Sequence, residues 1–72
     1  MTIAELCAEK ASLADAAVVP YLERTGSGRD VVLTDLLADL MHWADREGLT
    51  FSEHEQRAYF HYLAEIGGED ES

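Results

Sequence analysis

The chain has 72 residues, of which fifteen are Asp or Glu and five are Lys or Arg, so its formal net charge is -10. A chain this short makes one domain, and domains near this size bury only about 60% of the surface their unfolded chains expose, which leaves little interior for a solvent-excluded active site. An enzyme is therefore not expected. The sign of the charge speaks against gripping nucleic acid, where affinity comes from Lys and Arg on phosphates, and against docking on anionic lipid; a basic partner fits it better.

Hydrophobic residues at 47% and charged residues at 28% are the proportions of a folded domain, not of a disordered acidic chain. The single cysteine, Cys7, excludes an intramolecular disulfide. Glu5 and Glu9 interrupt the N-terminal stretch, which also lacks the basic start of a signal peptide, so a cytoplasmic protein is expected. No apolar stretch approaches the roughly 20 residues needed to span a bilayer, and neither end carries a lipidation signal; no membrane attachment is expected.

Thr2 followed by Glu5 has the spacing of a capping box and predicts a helix from Ile3. Ile3, Leu6, Leu13, Ala14, Ala17 and Val18 then recur at helical intervals and predict one apolar face. Pro20 lacks an N–H and crowds the carbonyl four residues back, so the helix either ends near Val19 or kinks and continues through Tyr21 and Leu22; a kink is the expectation. Thr25-Gly26-Ser27-Gly28 reads as a loop. The first helix is rich in alanine, with Ala8, Ala11, Ala14, Ala16 and Ala17. This allows a close approach by a second helix and makes Ala11, Ala14 and Val18 the candidate self-association stripe, although alanine also simply favours helix.

For the second helix the candidate N-caps are Asp30 and Thr34, and Gly48 is placed at C′, where the backbone usually turns left-handed. Leu33, Leu36, Leu37, Leu40, Trp43 and Ala44 form one broad apolar stripe, with Asp35, Asp39, His42, Asp45 and Arg46 opposite. Leu49 is expected to pack back on the helix that Gly48 ends. Ser52 with Glu55 reads as a second capping box, predicting a third helix from Glu53 to Ile66. Its inward face is Ala58, Tyr59, Tyr62, Leu63 and Ile66, with Phe51 over its entry and Phe60 partly outside. Residues 1–66 are read as one helical domain, and Gly67 to Ser72 as a frayed acidic tail. The expected fold is all-α, a small three-helix bundle with a kinked or broken first helix. Its small core gives only a few kcal/mol, which dimerisation would reinforce.

Asp39-x-x-His42 sets a carboxylate and an imidazole one turn apart, a spacing related to that of carboxylate-bridged metal bundles. Such a site needs further inward carboxylates, and Asp39 and His42 fall opposite the Leu/Trp stripe, so a solvated face is expected. His54 and His61, with Glu65 four residues on, supply too few ligands for tetrahedral zinc. Cys7 stands between Glu5 and Glu9, not in the electropositive setting of a reactive thiol, so it is read as a small apolar residue and not as a nucleophile. Gly26-x-Gly28 lacks the other glycines and the preceding strand of a dinucleotide site, and Trp43 sits within the apolar stripe. No catalytic residue, metal or cofactor is expected.

The acidic surface remains. Asp35 and Asp39 lie about 6 Å apart along a helix axis, and Asp45, Glu47, Glu53 and Glu55 continue the charge around the end of the second helix and the start of the third. These six carboxylates are the candidate partner-binding residues, since a rigid array of the same sign as nucleic acid can occupy a groove made for it. Solubility alone calls for a net charge of magnitude about 2 to 8 in a small domain.

The segment Thr34-Asp35-Leu36-Leu37-Ala38-Asp39-Leu40-Met41-His42-Trp43-Ala44-Asp45, with Gly48-Leu49-x-Phe51 and Ala58-x-x-His61-Tyr62-x-x-Glu65, resembles a group of small uncharacterised proteins carried by plasmids, prophages and other mobile elements. The resemblance covers roughly the C-terminal half of the domain and implies a mobile-element setting without an established activity. In size and charge the chain also resembles anti-CRISPR proteins, which bind Cas subunits and block their nucleic-acid surfaces; this implies a Cas subunit or another nucleic-acid-binding protein as partner. The function expected is that of a non-enzymatic inhibitor or adaptor, the alternative being a small dimeric structural or regulatory protein associating through its first helix.

Overall fold

Thr2 opens the first helix as its spacing predicts. In the computed structural model, which describes residues 1–67, α1 spans Ile3–Thr25, α2 Val32–Arg46 and α3 Phe51–Gly67. The fold is all-α, with no strand among the described residues. The stretch read as a tail lies outside them, except for Gly67, which closes α3.

The Thr2 hydroxyl accepts from the Glu5 N–H at 3.1 Å and donates to Glu5 Oε1 at 3.2 Å. The glutamate thus closes on the hydroxyl, one half of a capping box. α1 continues through Pro20 to Thr25, so of the two predicted outcomes the helix does not end near Val19. Pro20 leaves the Ala16 carbonyl without its helical donor, and both residues are exposed, where water can serve that carbonyl. The helix stops at Gly26, whose φ of 74° is left-handed and whose N–H donates to the Leu22 carbonyl at 2.8 Å.

Neither Asp30 nor Thr34 caps α2. Val31 holds the N-cap position without a side-chain bond, and the Gly28 carbonyl accepts from the N–H groups of Val31 and Val32 at 3.1 and 2.9 Å. The turn's own backbone satisfies donors that a capping side chain would otherwise take. At the other end Gly48 has φ 73°, as predicted. Its N–H donates to the Asp45 carbonyl at 3.2 Å and that of Leu49 to the Ala44 carbonyl at 2.8 Å, the paired bonds of a Schellman motif.

α3 starts two residues earlier than Ser52 and Glu55 suggest. The Thr50 carbonyl accepts from the N–H groups of Glu53 and His54 at 3.2 and 3.3 Å, which places Ser52 inside the first turn.

Every helix touches the other two, but the packing is open. Among the described residues only Val32 and Ala44 are buried, at 8% and 4% exposure. The chain measures 40 × 27 × 17 Å with a radius of gyration of 14.4 Å, against about 11 Å for a compact domain of this length. α1 alone accounts for about 35 Å of the long axis. Its early turns meet the end of α3, where Lys10 Nζ stands 3.1 Å from Glu65 Oε2, and its last turns meet α2 through Tyr21 and Asp39.

This arrangement corrects the expected inward faces. Leu13 falls between the two stretches of α1 that have neighbours and is 69% exposed. On α3, Tyr59, Tyr62 and Leu63 are exposed and only Ile66 of the predicted face is half-buried. The rings of Tyr59 and Tyr62 stack on each other instead, with centroids 6.4 Å apart. On α2, Leu36 is half-buried while Leu33, Leu37, Leu40 and Trp43 remain exposed.

Candidate functional site

The six candidate carboxylates divide into two sets. Asp35 and Asp39, one turn apart on α2, both turn toward the end of α1. The Tyr21 hydroxyl donates to Asp39 Oδ2 at 2.5 Å, and the Ser27 hydroxyl donates to Asp35 Oδ2 at 2.8 Å. Asp35 is half-buried. These residues therefore fasten α2 to α1 and its following loop; Asp39 is exposed, as the helical wheel suggests, but its carboxylate is engaged by Tyr21.

The bond to Asp39 is the first cause of a raised Tyr21 pKa, followed by desolvation and by the charges of Asp39 and Asp35. Together they move the phenol from 10.0 to about 12. Because the folded value lies above the unfolded one, the stabilisation is complete below pH 10 and is lost as pH rises from 10 toward 12. An ultraviolet pH titration is expected to show a phenolate step near pH 12 that Tyr21→Phe removes and Asp39→Asn moves toward 10; an unchanged step in Asp39→Asn would assign the shift to another cause.

The second set surrounds the turn between α2 and α3. Asp45, Glu47, Glu53 and Glu55 are all exposed. Glu47 accepts from Arg46 Nε at 2.9 Å in an exposed pair, a type of contact that contributes little. Glu53 stands in the first turn of α3, where the helix dipole favours a negative charge. Beside these acids, Leu40, Trp43, Ala44, Leu49, Phe51 and His54 line an apolar cleft of ≈ 220 Å³. Leu49 thus packs back on α2 as expected, and Trp43 forms a cleft wall that is 47% exposed.

Of the proposed self-association stripe, Ala11 and Ala14 are exposed and Val18 is half-buried. Ala11 also lines a cleft of ≈ 300 Å³ between α1 and α3 with Leu6, Cys7 and Tyr62, so part of the stripe faces this chain's own third helix. Cys7 is exposed. Among the described residues no group of three His, Cys, Asp or Glu side chains is placed to hold a metal ion, and no helix is long and apolar enough to cross a membrane.

Sequence reasoning missed Tyr21 and Ser27 as partners of the α2 carboxylates. Pro20 directed attention to whether the helix ends there, and the residue after it carried no periodic signal of its own. Compared with protein-family models, with curated proteins and with solved structures, the chain matches none.

Proposed function

We propose that this chain is a non-enzymatic acidic interaction protein of a mobile element, acting in the cytoplasm, that binds a basic nucleic-acid-binding protein and blocks it as an anti-CRISPR protein does. The observation that supports this reading is the exposed cluster Asp45, Glu47, Glu53 and Glu55 around the α2–α3 turn, with Arg46 the one cation in that turn and already held by Glu47. A Cas subunit is the partner that the anti-CRISPR resemblance suggests. The binding surface is narrower than the sequence implies, because Asp35 and Asp39 are engaged within the chain.

The test is co-purification of a basic partner from host lysate, followed by competition with duplex DNA and a salt titration. Binding is expected to fall steeply with salt and to be displaced by DNA. Asp45→Lys, Glu53→Lys and Glu55→Lys together should abolish it with helicity unchanged by circular dichroism; full binding by the triple variant would overturn the proposal.

A second reading, a small dimeric structural or regulatory protein, is favoured by a separate observation. Fourteen large apolar side chains among the described residues are exposed.

A further inference from the structure

We infer that α2 carries a homodimer interface, in which the seam Leu33, Leu37 and Leu40 packs against the same seam of a second copy of this chain. The inference is independent of the acidic-partner reading and uses a surface other than the α1 stripe.

The three residues recur at intervals of four and three, the spacing of paired a and d positions in helices that pack side by side, and Ala44, four residues on, is already buried within the chain. Leu33 is 67% exposed, and Leu37 and Leu40 are exposed as well. The seam runs without interruption into the cleft walled by Trp43, Leu49 and Phe51. It is therefore a continuous apolar strip along α2, not scattered surface leucines.

The chain leaves more surface uncovered than a compact monomer of its mass. A folded monomer of 8.0 kDa is expected to expose about 4,450 Å², whereas this chain exposes 5842 Å², an excess of about 1,400 Å² over that scaling. That excess belongs to the chain as a whole, and the exposed Leu33, Leu37 and Leu40 of α2 contribute to it.

Charge identifies the occupant as a second copy. The positions flanking the seam are Thr34, Leu36, Met41 and Trp43, all uncharged, while Asp35, Asp39 and Asp45 fall on the remaining positions of α2. A basic partner would be met by carboxylates beside its docking strip. The neutral margin here instead lets two copies of a chain with charge -10 meet without like charges face to face, and a two-fold interface asks for such a self-complementary patch.

The test is the mass of the full chain by sedimentation equilibrium over a wide concentration range and at two salt concentrations. The expected result is a reversible dimer that holds or strengthens in salt, because screening reduces repulsion between the acidic protomers; a basic partner's binding would weaken under the same change. Leu33→Glu with Leu37→Glu should give a monomer. Leu13→Glu, at an equally exposed leucine on α1, should leave the dimer intact. Should the double variant lose its helicity, dilution of the wild-type chain still decides, since the emission of Trp43, the one tryptophan, is expected to shift to longer wavelength as the dimer separates. A wild-type chain that is monomeric throughout overturns the inference and assigns the strip to a different protein. A dimer broken by Leu13→Glu but not by the α2 pair overturns it in favour of α1.

Discussion

Thermal unfolding of the wild-type chain is expected to move upward by about 3–6 °C for each tenfold rise in protein concentration. The size follows from mass action. A tenfold change is worth about 1.4 kcal/mol per dimer, or about 0.7 kcal/mol per protomer, and 1 kcal/mol moves the midpoint of a domain this small by roughly 4–8 °C. The reason lies in how little the protomer hides. Fixing each residue's backbone costs about 1–2 kcal/mol, and fully burying a large apolar side chain returns about 1.5–3 kcal/mol, yet among the described residues only Val32 and Ala44 are buried. Covering Leu33, Leu37 and Leu40 by a second copy supplies apolar burial that one chain lacks, so folding and association should be coupled. Melts followed by circular dichroism over a dilution series test this. Leu33→Glu with Leu37→Glu should lower the midpoint and remove its concentration dependence. A wild-type midpoint that stays constant on dilution would show that the open packing suffices without a second copy.

The helices were legible in the sequence because their ends are chemical. Thr2 takes its cap, and Gly26 and Gly48 adopt the left-handed turns that glycine permits. The start of α3 was misread for a physical reason. Ser52 and Glu55 have capping spacing, but the bonds around Gly48 have already reversed the chain, and the Thr50 carbonyl receives the first helical N–H groups. Burial was less legible still. Periodicity shows which side of a helix is apolar, not whether anything in the same chain covers it. Leu13 and Leu63 obey the period and are exposed, because α2 and α3 each cover only part of their neighbours. The candidate acids show the same limit. A helical wheel sets Asp39 opposite the Leu stripe but contains no information about where α1 crosses, and that crossing delivers the Tyr21 hydroxyl.

Gly48→Val is expected to destabilise the fold by about 1–2 kcal/mol, the cost of holding an L residue in the left-handed region. Gly48 has φ 73°, and a Cβ added there meets nothing within 4 Å, so the effect is expected from the backbone conformation and not from a clash at the Cβ. Two bonds depend on this conformation, from the Gly48 N–H to Asp45 and from the Leu49 N–H to Ala44. If the turn opens, Leu49 leaves the cleft it lines with Trp43 and Phe51, and the joint between α2 and α3 loses its apolar wall. Asparagine enters the left-handed region more readily than other side chains, so Gly48→Asn should cost clearly less than Gly48→Val. Denaturant midpoints at one fixed protein concentration separate this effect from association. Equal losses in the two variants would show that the turn's conformation is not what holds the joint. A graded loss, with the Leu33 and Leu37 strip untouched, would make the Gly48 turn the device that sets α3 against α2 and leaves the face of α2 open.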